Sequence, residues 1–118
     1  MKYTTSIRLS KEEVIKLFNK YVSQFDMNDE KVIARGKYKF DIYCALCHGT
    51  NGHAAEDSKL KQYIPLIPPL VSDKVKAFKD GRIYYIITNG QGVMGSYATQ
   101  VQNAEDRWAI VSYVRTLK

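Results

Sequence analysis

Residues Cys44-Ala45-Leu46-Cys47-His48 constrain this chain of 118 residues more than any other stretch. Two thiols three positions apart with a histidine directly after them have the spacing of c-type haem attachment, in which each thiol adds to a vinyl group and the imidazole ligates the iron. On a helical turn the two sulfurs reach neighbouring edges of one porphyrin, and the next residue turns its ring nitrogen towards the metal. A short chain buries a low fraction of its own surface, so a flat group held at three points would fill the core as well as serve the function.

Other chemistries share parts of this motif. A thioredoxin-like redox pair has the same cysteine spacing, but it needs a parallel βαβ setting that is not visible here and has no use for the histidine. A zinc site wants third and fourth ligands at metal spacing, and beyond the motif the chain offers only His53 from the cysteine and histidine set. A structural disulfide leaves the histidine without a purpose. Haem is the reading that uses all three residues.

Composition narrows the class. The apolar share of 45% suits a globular chain, and no run approaches the roughly eighteen apolar residues of a membrane helix. The formal charge of +6 raises the question of nucleic acid. The excess is spread thinly along the chain, without a basic cluster interleaved with aromatics, so nucleic acid is not an expected partner. A mild positive surface serves solubility or steers the chain to an acidic redox partner. Covalent haem attachment normally takes place outside the cytosol, so a periplasmic location, or the outer face of the plasma membrane, is expected. Met1 to Asp29 contains no apolar signal core and no small-residue cleavage site, so a signal or lipid anchor is expected to have been removed ahead of residue 1.

Taken in order, residues 1–9 read as an extended lead-in. Ser10 followed by Glu13 makes a capping box, and Val14, Ile15, Leu17, Phe18, Tyr21, Val22 and Phe25 follow at helical spacing, which predicts a helix over about 11–25. It either packs on the rest of the chain or docks the chain to a larger complex; packing is the simpler reading. A second stripe, Val32, Ile33, Gly36, Phe40 and Tyr43, predicts a helix over about 30–46 that delivers the haem motif at its end. Gly36 in a helix interior is unfavourable by about 1 kcal/mol relative to alanine, which points to another backbone passing close by.

Gly49 to His53 has turn composition, and the region to Ile67 shows no clean period. His53 reads as a loop histidine, since five positions after the proximal ligand it cannot easily reach the opposite haem face. Pro68-Pro69 breaks any helix and leaves a backbone carbonyl open to a side-chain donor. Ser72-Asp73 caps a short turn through about Phe78, and Asp80 to Asn89 reads as a helix with an acidic start and a glycine stop at Gly90, although its β-branched and aromatic residues would also suit a strand.

Gly90, Gly92 and Gly95 surround Met94, an arrangement foreign to a core helix. It suits a backbone that passes close to a large flat ligand so that a thioether can reach the metal, making Met94 the expected distal iron ligand, with structural packing as the alternative. Asn103 then caps a last helix with Glu105 and Asp106 in its first turn, and Trp108, Ile110, Val111, Val114 and Leu117 form its inner face. Beside a haem, Trp108 could also donate its indole N–H to a propionate.

From about Val32 to Lys118 the chain resembles class I cytochromes c. In that family a glycine and an aromatic lie eight and four residues before the first haem cysteine, as Gly36 and Phe40 do here, and pack on residues that correspond to Ile110 and Tyr113. The family's Pro-x-Leu turn matches Pro68-Pro69-Leu70, which implies that the Pro68 carbonyl accepts the Nδ1–H of His48; its distal methionine falls on Met94. The run DGRIYYIITNGQGVMGSYATQV and the following EDRWAIVSYVRTL resemble the monohaem cytochrome c subunit of alternative complex III, a bacterial quinol oxidoreductase, and related cytochrome domains. Those proteins often have Met-Pro-Ser-Tyr where this chain has Met94-Gly95-Ser96-Tyr97, so a looser ligand loop is expected here. Tyr97, Arg82 and Trp108 are propionate candidates by residue type and by this resemblance.

The resemblance implies an all-α class I cytochrome c fold, a haem-centred bundle of short helices at 30–118, preceded by an extension over 1–29 with an extra N-terminal helix. The expected function is one-electron transfer in a respiratory chain by a single covalent haem c with His48 and Met94 as axial ligands, and not enzymatic turnover. Redox proteins are the expected partners, among them a membrane-bound quinol oxidoreductase or terminal oxidase. The rival reading is a peroxidase-like or gas-binding haem protein with a labile distal ligand.

Overall fold

Two helices distant in sequence meet at a glycine. In the computed structural model, which describes residues 9–54 and 67–118, α2 (Glu30–Tyr43) crosses α6 (Ala104–Val114) with Gly36 against the Ala109 carbonyl, where any β-carbon would overlap. The Tyr113 β-carbon is the next neighbour, and the Phe40 and Tyr113 rings meet edge to face at 5.2 Å. The expected glycine contact is therefore present, but the atom that demands it belongs to the Ala109 backbone. Phe40, Ile110 and Val111 are almost wholly buried around this crossing, and burying side chains of this size stabilises a fold by about 1.5–3 kcal/mol each.

Helix α6 has a second neighbour in α5 (Asp80–Asn89), and α1 (Lys11–Tyr21) packs in turn on α5. Helix α1 starts with the full capping box: the Glu13 N–H donates to Ser10 Oγ and the Ser10 N–H donates to the Glu13 carboxylate. Its predicted extent to residue 25 is too long. The chain tightens to a 3-10 turn at Val22–Gln24 and leaves the helix at Phe25, whose ring turns inward to lie 5.7 Å from Trp108.

The second predicted helix, 30–46, is also divided. At Cys44 the backbone departs to φ −113°, ending α2 at Tyr43, and a single turn, α3 (Ala45–His48), resumes before Gly49 stops it at φ 79°. A short α4 (Asp73–Ala77) is capped by Ser72, as expected. The ambiguous stretch over 80–89 is helical, because its apolar residues serve both sides: Gly81, Ile83, Tyr84 and Ile87 are buried between α1 and α6.

Helix α6 departs from the one-faced stripe expected for it. Every residue from Trp108 to Val114 is buried, including Ser112, whose hydroxyl donates to the Met27 carbonyl. With α2 against one side and α5 against another, no face is left for water. Among the described residues there is no strand, only a bridge between Gln91 and Met94, and no helix is long and apolar enough to cross a membrane. The fold is all-α, as expected for a cytochrome c.

Candidate functional site

The break at Cys44 shapes the motif. Its N–H still donates to the Phe40 carbonyl, so the cysteine hangs directly from the α2–α6 crossing, while its own carbonyl accepts from the N–H groups of both Cys47 and His48. The two cysteines and the histidine are thus held on one tight turn fixed to the core. Gly49 ends that turn, and the Ala54 N–H closes back on the His48 carbonyl at 2.8 Å.

No disulfide joins Cys44 and Cys47. Burial pushes the Cys44 thiol up to about 12, with Cys47 and Asp41 adding to the shift. It is therefore a protonated thiol at neutral pH. A dithiol tuned for exchange chemistry has the opposite shift, towards thiolate, and zinc also requires thiolate. Among the described residues no group of three metal-ligating side chains assembles around the pair.

His48 is the most informative residue. Burial lowers its pKa, and the Pro68 carbonyl opposes this by raising it. Yet Nδ1, fully buried, makes no hydrogen bond of good geometry, so Pro68 lies close without completing the bond. An unsatisfied buried polar atom is costly, about 1–3 kcal/mol, and natural proteins keep few of them. A metal on Nε2 would leave Nδ1 as the N–H donor facing Pro68, and such a bond orients ligating imidazoles. A tethered haem therefore fits the residues present: two cysteines without a disulfide, one of them a buried protonated thiol, a buried imidazole and a backbone acceptor beside it.

Tyr97 joins this group. Burial raises its phenol pKa first, and Cys47 and Cys44 raise it further, so the phenol is within electrostatic reach of the two cysteines. The residue is held there by its N–H, which donates to the Ile87 carbonyl at the end of α5. Met94 is half-buried in the turn just before it, closed by reciprocal N–H to carbonyl bonds with Gln91 at 2.9 and 3.0 Å. Gly90, at φ 78°, allows the return of this loop, since a β-carbon there would overlap the backbone of Met94, Gly95 and Ser96. The loop with glycine in place of proline is thus a bonded turn.

The other two propionate candidates have partners of their own. Arg82 donates to the Glu12 carboxylate at 2.7 Å and lies over the Phe78 ring. Trp108 is buried in an aromatic cluster, stacked on Tyr84 at 4.2 Å and flanked by Phe18 and Phe25. Both are engaged on the side of the molecule covered by α1 and the turn that follows it. His53, read as a loop histidine, bonds through Nε2 to the Lys118 carbonyl oxygen at 2.6 Å.

Sequence reasoning missed Arg107. Its guanidinium donates to the carbonyls of Ala98, Val101 and Gln102, tying down the segment that follows Tyr97. A cation close to a helix N-terminus, where the dipole disfavours it, was the available signal.

Residues 31–114 match the family model described as cytochrome c oxidase, cbb3-type, subunit III. No curated protein matches the chain.

Proposed function

Because the chain belongs to the cbb3-type cytochrome c oxidase subunit III family, we propose that it is a one-electron carrier or relay of a respiratory chain with a single haem c. Membership of that family implies a covalently bound haem c and haem-based electron transfer. The observation that best supports the finer reading is the buried His48 Nδ1, unsatisfied beside the Pro68 carbonyl, on a turn that also carries the two cysteines without a disulfide.

In this reading Cys44 and Cys47 would hold the group through thioether bonds, and His48 and Met94 would ligate its iron. When bound, haem c supplies a reversible ferric–ferrous couple. The Met94 thioether favours the ferrous form and so raises the potential relative to two histidines. With His48 and Met94 both holding the iron, no position would be left open to oxygen or peroxide. With the group bound, the Pro68 carbonyl would accept from His48 Nδ1 and fix the ring, and Tyr97, within electrostatic reach of both cysteines, is the favoured propionate candidate. The chain is then an electron-transfer protein and not an enzyme by itself.

We assign 30–118 to the cytochrome c domain and 1–29 to an extension, a division supported by the start of the family match at residue 31. The family's description points to an oxidase complex as partner; the resemblance of residues 80–118 to a subunit of alternative complex III points to a quinol oxidoreductase. Either partner supports a location in the periplasm or on the outer face of the plasma membrane.

Potentiometric titration with optical spectra, together with the intact mass of the native polypeptide, tests this reading. The expected result is the added mass of one haem, a single one-electron wave at positive potential, and a near-infrared band from methionine on ferric iron. A mass without haem overturns the reading; a haem spectrum without the near-infrared band at neutral pH favours the peroxidase-like or gas-binding alternative.

A further inference from the structure

Helix α1 lies outside the matched residues, yet it completes α5, the helix from which the Met94 loop hangs. The N-cap position of α5 is Lys79, whose side chain makes no capping bond. The missing acceptor comes from α1: Asn19 Oδ1 accepts from the Gly81 N–H at 2.6 Å, across 62 residues of sequence. Gly81 has no room for a β-carbon, because Asn19 side-chain and backbone atoms occupy that space. A helix N-terminus leaves several N–H groups without partners, and a side-chain acceptor satisfies one of them.

Further contacts carry α1 to the other end of α5. The Phe18 ring meets Tyr84 at 4.6 Å, Glu12 pairs with Arg82, and Lys11 Nζ reaches the Gln91 side-chain oxygen at 3.2 Å. Gln91 is the residue whose backbone closes the turn on Met94. Helix α1 therefore bonds to α5 at its first turn and to the methionine turn beyond its last residue.

We propose that α1 is an internal brace for the distal-ligand loop, with Asn19 as a positioning residue that caps α5 in trans and thereby keeps Met94 presented to the iron. This rests on the axial role proposed for Met94. Loss of the cap frees the start of α5, and the loop attached to its end opens more often.

The test is capture of added imidazole by the ferric holoprotein, which requires the sixth ligand to leave, read together with the near-infrared band. Asn19→Ala is expected to raise the capture rate about tenfold, the equivalent of losing one helix cap, and to weaken the band. Asn19→Asp, which keeps the acceptor, should restore both. Glu12→Gln, a surface change that spares the cap, should raise the rate about twofold, in keeping with a weak exposed pair, and provides the same test if Asn19→Ala does not yield folded holoprotein. Capture rates in Asn19→Ala and Glu12→Gln equal to the wild type, with the band intact, would overturn the brace while leaving Met94 as ligand. A wild-type protein without the band would overturn the ligand assignment, and the brace with it.

Discussion

Gly36 of α2 lies so close to the Ala109 carbonyl of α6 that no β-carbon can be accommodated between them. This crossing carries Cys44 as well as the core, since Cys44 follows Phe40 by one helical turn and donates to its carbonyl. Gly36→Ala gains about 1 kcal/mol of helix propensity but must push two helices apart. Overpacking of that kind costs about 1–3 kcal/mol. The expected outcome is a lower denaturation midpoint and a lower yield of haem-loaded protein; an unchanged midpoint would contradict the close crossing.

Phe40 fills the space beneath that crossing and is 1% exposed. Truncation to alanine removes its packing on Tyr113 and leaves a cavity, at a cost of about 3–5 kcal/mol. Urea denaturation of the holoprotein should show that loss, and Phe40→Leu should recover most of it.

Replacing Met94 by histidine changes the distal donor and not the attachment. The covalent haem mass should be retained while the potential falls and the near-infrared band disappears, because a second imidazole favours ferric iron more than a thioether does. A potential unchanged from the wild type would remove Met94 from the iron.

Arg107 holds three carbonyls of the segment between Tyr97 and α6. Arg107→Ala leaves these acceptors to find water, and hydrogen bonds to a charged donor contribute about 1.5–3 kcal/mol each in favourable cases. Differential scanning calorimetry should show a reduced midpoint. Hydrogen exchange should be faster at the Val101 amide, which donates to the Tyr97 carbonyl.

Asp106 provides the acid limit. The hydrogen bond from Arg35 holds its carboxyl below the ordinary 3.8, against a smaller opposing effect of burial. A carboxyl with a depressed folded pKa binds fewer protons folded than unfolded. Its contribution is therefore complete above 3.8 and lost as pH falls through the folded value. Asp106→Asn should lower stability at neutral pH, and the difference from the wild type should shrink in acid. A constant difference from pH 7 to pH 2 would refute the pairing.

Local chemistry is what the chain alone could reveal. The thiol spacing, the histidine after it, the Ser10 capping box, the Asn103 cap, the turn composition from Gly49 and the glycine stop at Gly90 act over a few residues, so each is readable without knowing what lies opposite. Even Gly36 announced a close neighbour, because its penalty is local while its reason is not. Residues 55–66, where no period was found, lie outside the described residues.

The identity of partners was decided by the tertiary structure. Trp108 is the type of residue that can bind a propionate, yet Tyr84, Phe18 and Phe25 enclose it; Arg82 is drawn to Glu12. The length of α1 yields to the inward turn of Phe25, and the all-round burial of α6 follows from having both α2 and α5 as neighbours. Periodicity marks which face of a helix avoids water, and capping marks where it begins. Neither specifies which distant surface arrives there, because that depends on how all the helices share one small core.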